Sequence, residues 1–152
     1  MNGFTSSDYT KNLPSILSGV NISKINSITL WLGTNDILTI NENPLSLNQF
    51  KSNLNAIISY LQYFNLYLPI YLISIPINDF SLNEWITYDQ SIIKKFNDEL
   101  KEIAVEKKIN YIDLNDKKNK IYLTSEDLVD GVHFNDEGNL KIYNILSEFI
   151  KC

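Results

Sequence analysis

Two short stretches of the sequence carry side chains that could move a proton. Asp130 and His133 lie three residues apart, so one turn of the chain can place a carboxylate beside the only imidazole. Gly131 lies between them and lets the backbone turn tightly. Far upstream, Asn35 follows Gly33 at the end of an apolar run and offers an amide donor. An Asp–His pair activates a nucleophile and an amide stabilises an oxyanion, so this set of groups predicts a hydrolytic site.

The apolar pattern predicts the elements that must position these groups. Continuous apolar runs predict strands, and apolar residues recurring every three or four positions predict helices. The predicted strands span 27–33, 69–76 and 109–114, and the predicted helices span 13–20, 46–64, 85–108 and 136–150. Alternating strands and helices give right-handed crossovers and a parallel sheet. Sites in such sheets form at the carboxyl ends of the strands, where Asn35 and the 130–133 stretch are both expected.

Several local details follow from the same pattern. Residues 1–12 are expected to be irregular, with Pro14 in the first turn of the first helix. Ser46 is expected to cap the second helix, and Asn135 or Asp136 the last one. Trp31 lies in an apolar strand, where core packing is expected. The residues that the last helix is expected to bury are Leu140, Tyr143, Leu146 and Ile150.

Size and composition indicate one globular domain over residues 1–152. The chain has a mass of 17.6 kDa, with 44% hydrophobic and 20% charged residues. Its net charge is −5 and all 13 basic residues are lysines, so a nucleic-acid partner is not expected. No run is long enough to cross a membrane and no signal peptide is visible, which predicts a cytoplasmic protein. One histidine and one cysteine, Cys152, make a metal site unexpected, and no Gly-rich loop predicts a cofactor.

The chain resembles the SGNH or GDSL family of ester hydrolases in two blocks. These are Gly33-Thr34-Asn35-Asp36 and, much later, Asp130-Gly131-Val132-His133. Residues 2–6, Asn-Gly-Phe-Thr-Ser, and residues 72–76, Leu-Ile-Ser-Ile-Pro, are similar to the isoamyl acetate-hydrolysing esterase branch. The resemblance implies a flavodoxin-like three-layer α/β/α sandwich and hydrolysis of small carboxylic esters without a cofactor.

The resemblance also implies a role for each residue of the site. His133 would be the general base that takes the proton from a serine, and Asp130 would orient its ring. Asn35 would donate its amide to the oxyanion, and Ser6 stands where the family has a glycine whose backbone N–H does the same. Asp36 is expected to brace the loop and to have no catalytic role.

One part of the family pattern is absent from the sequence. The family's nucleophile lies in a Gly-Asp-Ser block on the first strand, and these 152 residues contain no Gly-Asp-Ser. Neither Ser6 nor Ser7 follows a strand into a sharp turn, so neither is expected to replace it. We therefore expect an N-terminal strand to be missing, which would leave the 28–33 strand with a free edge for self-association.

Two other hypotheses remain open at this point. The chain could be a truncated, catalytically inactive family member that binds a ligand or a partner. It could instead be a non-hydrolytic flavodoxin-like module such as a receiver domain. The second is disfavoured, because neither an acidic cluster at a first strand's end nor a late functional lysine is evident.

Overall fold

The computed structural model describes residues 3–37, 45–76 and 90–150. Within these ranges three strands alternate with helices. The strands are β1 (Ile28–Leu30), β2 (Ile70–Ile73) and β3 (Asn110–Ile112). The α-helices are α1 (Ser6–Ile16), α2 (Thr34–Ile37), α3 (Leu47–Phe64), α4 (Gln90–Lys107) and α5 (Asp136–Phe149). Short 3-10 helices cover Ile22–Lys24 and Ser125–Asp127.

The strands form one parallel sheet, as the sequence predicts, and their order in it is β1–β2–β3. Ile28 is opposite Ile70 in the first pair, and Tyr71 is opposite Asn110 in the second. In the described part of the chain, β1 pairs only with β2 and lies at an edge of the sheet. The parallel direction brings the carboxyl ends of all three strands to one side of the molecule.

The two faces of the sheet are covered by separate apolar clusters. The larger cluster joins the sheet to α1, α3 and α4, and Phe50 and Phe96 lie in it with ring centroids 4.7 Å apart. The smaller cluster packs Ile142 and Ile145 of α5 against Ile73 and nearby residues. This arrangement is the α/β/α layering that the sequence predicts.

The first helix begins earlier than the sequence prediction placed it. Residues 1–12 were expected to be irregular, but α1 starts at Ser6 because Thr5 and Asp8 form a capping box. The backbone N–H of Thr5 donates to Asp8 Oδ2 at 2.9 Å, and Asp8 N–H donates to Thr5 Oγ1 at 3.3 Å. Pro14 therefore lies near the end of the helix and not in its first turn.

The buried face of the last helix was predicted correctly only in part, since Leu146 and Ile150 are partly buried against the smaller cluster, as expected, and the other two predicted residues are not. Leu140 and Tyr143 are 58% and 67% exposed, whereas Ile142 and Ile145 are buried. The helix is rotated by its close contact at Gly138, where a Cβ would lie 2.6 Å from the carbonyl oxygen of Asp127. That contact turns the 138, 142 and 145 positions inward.

Other local predictions are confirmed. The hydroxyl of Ser46 accepts from Gln49 N–H at 3.2 Å, and Asn135 Oδ1 accepts from Gly138 N–H at 2.8 Å, so both caps are in place. The apolar residues that recur at helical spacing along α4 lie on its inner face: Ile93, Phe96, Leu100, Ile103 and Ala104 are buried, and Ile92 is partly buried. Trp85, Cys152 and the predicted start of the helix at 85 lie outside the described residues. No helix in the described ranges is long and apolar enough to cross a bilayer.

Candidate active site

The Asp130–His133 turn is closed by its own backbone. The N–H of Val129 donates to the carbonyl oxygen of His133 at 2.7 Å, and Leu128 pairs with Phe134 in an antiparallel bridge just outside it. Gly131 has a φ of +83°, a conformation that residues with a Cβ seldom adopt. The glycine thus permits a turn that returns His133 towards Asp130.

Asp130 accepts three hydrogen bonds from this turn. Its Oδ1 accepts the backbone N–H groups of Val132 at 3.0 Å and His133 at 2.8 Å, and its Oδ2 lies 2.7 Å from His133 Nδ1. The hydrogen bonds from His133, backbone first and then ring, lower the pKa of Asp130 to about 2. Because a carboxylate can only accept, Nδ1 carries the hydrogen and Nε2 is left as the basic nitrogen. The side chain of His133 is 79% exposed, so Nε2 is open to a reactant.

The segment that carries Asn35 is positioned by Gly33. Gly33 is buried with a φ of +119°, and a Cβ there would lie 2.5 Å from Ile75 Cδ1. Only glycine therefore allows the backbone after β1 to cross so close to the end of β2. Asn35 Nδ2 donates to the carbonyl oxygen of Phe4 at 3.0 Å. An amide group has two such hydrogens, so one remains for a ligand.

Ser6 and Asp36 tie the start of α1 to the same segment. The backbone N–H of Ser6 donates to both carboxyl oxygens of Asp36 at 3.0 Å, and its hydroxyl also donates to Asp36. Asn53 in turn donates to Ser6 Oγ at 2.9 Å. Both Ser6 and Asp36 are fully buried. Burial raises the pKa of Asp36, although the hydrogen bonds from Ser6 partly oppose that rise.

This network decides what Ser6 does in the structure. Its hydroxyl is buried between Asp36 and Asn53, which agrees with the expectation that Ser6 is not a nucleophile. Its N–H is already bonded to Asp36, so an oxyanion role would require that bond to be released. That role stays a prediction, whereas the bracing role expected of Asp36 is what the hydrogen bonds show.

Trp31 was expected in the core but lies at the surface of the site. It is 39% exposed, and its ring centroid lies 6.0 Å from that of Phe134. The contact joins the end of β1 to the residue that follows His133. The sequence could have indicated this position, because Trp31 lies near the carboxyl end of the predicted strand, and residues there border the site in a parallel sheet.

A small pocket opens beside Asn35. Its volume is about 160 Å³. The residues that line it are Phe4, Tyr9, Trp31, Leu32, Gly33, Thr34 and Asn35. None of these side chains is charged. The sequence prediction named only Asn35 among them as a site residue.

A family comparison agrees with this geometry. The sequence matches the family model described as GDSL-like Lipase/Acylhydrolase over residues 1–146. The chain belongs to the GDSL-like lipase/acylhydrolase family. No curated protein is similar enough in sequence to count as a match. The family assignment confirms the resemblance to GDSL hydrolases; the isoamyl acetate esterase branch stays a prediction.

Several solved structures share the fold of this chain. A lipase/acylhydrolase from Enterococcus faecalis superposes with a TM-score of 0.76 at 24% identity, covering 96% of this chain and 70% of that one. An acetyl xylan esterase gives a TM-score of 0.75 at 20% identity, covering 99% and 78%. An acetylxylan esterase from Geobacillus stearothermophilus gives 0.70 at 16% identity, covering 96% and 67%. The predicted α/β/α fold is therefore confirmed.

Asp127 holds the loop between β3 and α5 in place through hydrogen bonds. Asp127 is buried, and its carboxylate accepts from Thr124 N–H at 2.8 Å and from Lys141 Nζ at 2.7 Å. Burial alone would raise the pKa of Asp127, but these hydrogen bonds outweigh it and the pKa is lowered. The charged form of Asp127 thus fixes the chain just before the Asp130–His133 turn. Among the described residues, no three His, Cys, Asp or Glu side chains group together as metal ligands would.

Proposed function

We propose that this chain supplies the acid–base and oxyanion groups of a hydrolase for small carboxylic esters. The observation that carries the proposal is the 2.7 Å contact between His133 Nδ1 and Asp130 Oδ2, which leaves Nε2 exposed and basic. Membership of the GDSL-like lipase/acylhydrolase family supports it. The remaining amide hydrogen of Asn35 is the oxyanion donor.

The reaction would proceed through an acyl-serine intermediate. A serine hydroxyl attacks the ester carbonyl carbon while its proton passes to Nε2 of His133, and the carbonyl oxygen becomes an oxyanion bound by Asn35. The tetrahedral intermediate collapses, and the leaving alcohol takes the proton from His133. Water then attacks the acyl group by the same steps and releases a carboxylic acid and the free serine. Asp130 keeps the imidazole in the required tautomer throughout.

The nucleophilic serine is the one participant that is not identified in this sequence, because these 152 residues contain no Gly-Asp-Ser block. We assign it to a Gly-Asp-Ser segment outside them, which would add a strand at the free edge of β1. The three solved structures described above are longer, since this chain covers 67–78% of their lengths. Such a segment would pair with the edge of β1 that is open in the described part of the chain.

The substrate class proposed is a short ester. Two of the similar structures are named acetyl xylan esterases, which supports a small acyl group, and a third is named a lipase/acylhydrolase. The segments at 2–6 and 72–76 favour the isoamyl acetate-hydrolysing branch within the family. A cytoplasmic location, the lack of a nucleic-acid partner and self-association through β1 stay predictions.

One observation favours a second candidate function. These 152 residues contain no Gly-Asp-Ser, and the second candidate is accordingly an inactive family member that binds a ligand or a partner. Under that alternative the Asp130–His133 pair would be a structural turn without a nucleophile to serve.

Labelling the protein isolated from its own cells tests the two candidates. Our proposal predicts an intact mass above 17.6 kDa and a fluorophosphonate adduct on a serine of a Gly-Asp-Ser peptide. Heat-denatured protein, which has lost the site, serves as the control and should not be labelled. A mass equal to 17.6 kDa with no labelled serine would contradict the hydrolase and support the inactive binder.

A further inference from the structure

The buried carboxylate of Asp36 lies beside the candidate site and has no part in the reaction steps proposed above. It follows Asn35 directly in α2, and its side chain is fully buried. Both of its oxygens accept the backbone N–H of Ser6 at 3.0 Å, and Oδ1 also accepts the Ser6 hydroxyl. A carboxylate loses its hydration on burial and is tolerated only where hydrogen bonds replace the lost water. The contacts thus fix Asp36 through Ser6 and fix Ser6 in return.

Two adjacent residues of α2 hold one short stretch at the start of α1. Asn35 Nδ2 donates to the carbonyl oxygen of Phe4 at 3.0 Å, and Asp36 accepts from Ser6, two residues further along the chain. Thr5, which lies between them, is the N-cap of α1, so the backbone of this stretch has little freedom. The carbonyl group that binds the Asn35 amide is therefore kept in place by the carboxylate of the next residue. If Ser6 moved away from Asp36, the Phe4 carbonyl would move with it.

Asn53 of α3 completes this network and fixes the direction of its hydrogen bonds. Asn53 Nδ2 donates to Ser6 Oγ at 2.9 Å, and Asn53 Oδ1 accepts from Gln49 Nε2 at 2.9 Å. Because an ionised carboxylate only accepts, the Ser6 hydroxyl gives its hydrogen to Asp36 and uses a lone pair for Asn53. In either orientation, an amide at position 36 would put an NH2 group 3.0 Å from the Ser6 nitrogen, donor against donor. The network therefore requires the carboxylate and not merely its shape.

The orientation of the Asn35 amide decides whether it can stabilise an oxyanion. Its NH2 group is planar and carries two hydrogens, so a bond from one hydrogen to the Phe4 carbonyl sets the direction of the other. A donor contributes most when it already points to the position of the developing charge, because nothing then has to reorganise during the reaction. A freely rotating Asn35 would spend part of its time in other rotamers and would bind the oxyanion more weakly.

We propose that Asp36 is a positioning residue for the oxyanion donor, because through Ser6 and the Phe4 carbonyl it holds the Asn35 amide with one hydrogen free for the substrate. The inference rests on the proposed ester hydrolysis and adds a residue that acts on the substrate only through Asn35. The backbone N–H of Ser6 then serves to hold Asp36, and Asn35 is the donor that the network prepares.

NMR of the Asn35 side chain in the 152-residue chain tests this role without any turnover. In the wild type, the Hα–Hβ couplings of Asn35 should report a single χ1 rotamer. Its two Nδ2 hydrogens should differ in chemical shift and in exchange with water, because one is bonded and the other is free. Asp36→Asn should bring the couplings to rotamer-averaged values. The bonded Nδ2 hydrogen should then exchange about tenfold faster, the factor expected for the loss of one hydrogen bond.

Two further variants separate positioning from a general loss of stability. Ser6→Ala keeps the backbone N–H bonds to Asp36 and removes only the hydroxyl, so the Asn35 signals should change less than in Asp36→Asn. Asp127→Asn is the matched control, because Asp127 is also a buried aspartate and its hydrogen bonds hold the loop before α5. This control should lower the free energy of unfolding in urea and leave the Asn35 signals unchanged.

The outcomes separate the positioning role from the proposed function. Averaged Asn35 couplings in the wild type would overturn the role of Asp36, and so would wild-type couplings and exchange in Asp36→Asn. An equal change in Asp127→Asn would also overturn it, because the effect would then be one of stability alone. A fixed Asn35 side chain that loosens only when Asp36 or Ser6 is changed upholds it, even in a chain that hydrolyses nothing. The fluorophosphonate labelling described above judges the hydrolysis independently.

Discussion

Trp31 and Phe134 connect the two halves of the candidate site, with ring centroids 6.0 Å apart and planes inclined by 32°. Trp31 directly follows β1 and precedes the Asn35 segment, and Phe134 directly follows His133. More than 100 residues of sequence separate them. The pair therefore sets how the Asp130–His133 turn sits against the carboxyl edge of the sheet.

Removal of the Trp31 ring should loosen the His133 turn. An aromatic pair contributes about 0.5–1.5 kcal/mol beyond the area that it buries, so Trp31→Ala should destabilise the turn locally. Hydrogen exchange of the Val129 amide, which is bonded to the His133 carbonyl, reports this opening. We expect faster exchange in Trp31→Ala and nearly unchanged exchange in Trp31→Phe. Equal exchange in wild type and Trp31→Ala would show that the ring contact does not hold the turn.

A methyl group at Gly33 should be costly. The added Cβ would lie 2.5 Å from Ile75 Cδ1 and 3.2 Å from Phe50 Cζ. Gly19→Ala is the matched control, because Gly19 also has a positive φ, +79°, but nothing lies within 4 Å of its Cβ position. Gly19→Ala should cost roughly 1–2 kcal/mol from backbone strain. Gly33→Ala should cost a further 1–3 kcal/mol or so from overpacking. Urea denaturation of both variants would measure the difference, and equal losses would refute the steric role of Gly33.

The Asp130–His133 contact should make the protein less stable as the pH falls. Because the pKa of Asp130 falls from 3.8 unfolded to about 2 folded, its hydrogen bonds stabilise the protein fully above 3.8. That contribution is lost as pH falls through about 2. The side chain is partly exposed, so the effect is small. Carboxyl carbon NMR should show Asp130 titrating near 2 in the wild type and at a higher pH, still below 3.8, in His133→Ala, because the variant loses the ring contact and keeps the backbone N–H groups of residues 132 and 133. A wild-type midpoint at 3.8 would contradict the contact.

Asp36 should give the opposite pH dependence. Burial raises its folded pKa above the unfolded value of 3.8, so the folded protein binds more protons in the window above 3.8. Stability supplied by Asp36 is then present below 3.8 and falls as pH rises towards the folded pKa. Asp36→Asn has no such titration. Urea denaturation between pH 3.5 and 7 should therefore show the wild type losing stability relative to Asp36→Asn as pH rises. If the two proteins differed by the same free energy of unfolding at every pH in that range, burying the charged Asp36 carboxylate would cost no stability, and the prediction would be wrong.

The sequence predicted correctly those features that depend on a single hydrophobic periodicity or on one short stretch of residues. The parallel sheet followed from alternating apolar runs and helical faces, and the pairing of Asp130 with His133 followed from their spacing and Gly131. Part of the α5 face was missed because its rotation depends on a tertiary contact between Gly138 and Asp127, which no periodicity contains. The start of α1 was missed because Pro14 outweighed the capping box of Thr5 and Asp8.

The site was only partly predictable for similar reasons. Asn35 stood out as an amide after a glycine, but its bond to the Phe4 carbonyl and the pocket beside it arise from residues 31 positions apart. The oxyanion role of Ser6 was predicted only from its position in a family block. The buried hydrogen bonds that Ser6 makes depend on Asp36 and Asn53, which lie far away in the sequence. These contacts join three separate stretches of chain, so no single stretch could indicate them.

The most direct test of the account is the turnover of a short ester by His133 variants. A protein carrying a Gly-Asp-Ser segment ahead of residue 1 would be assayed with p-nitrophenyl acetate, with the exposed Lys94→Ala as a control outside the site. We expect His133→Ala to lower kcat by about 10³–10⁴-fold while Lys94→Ala leaves it unchanged. Equal kcat in His133→Ala and the parent protein would contradict the role of His133 and with it the proposed site.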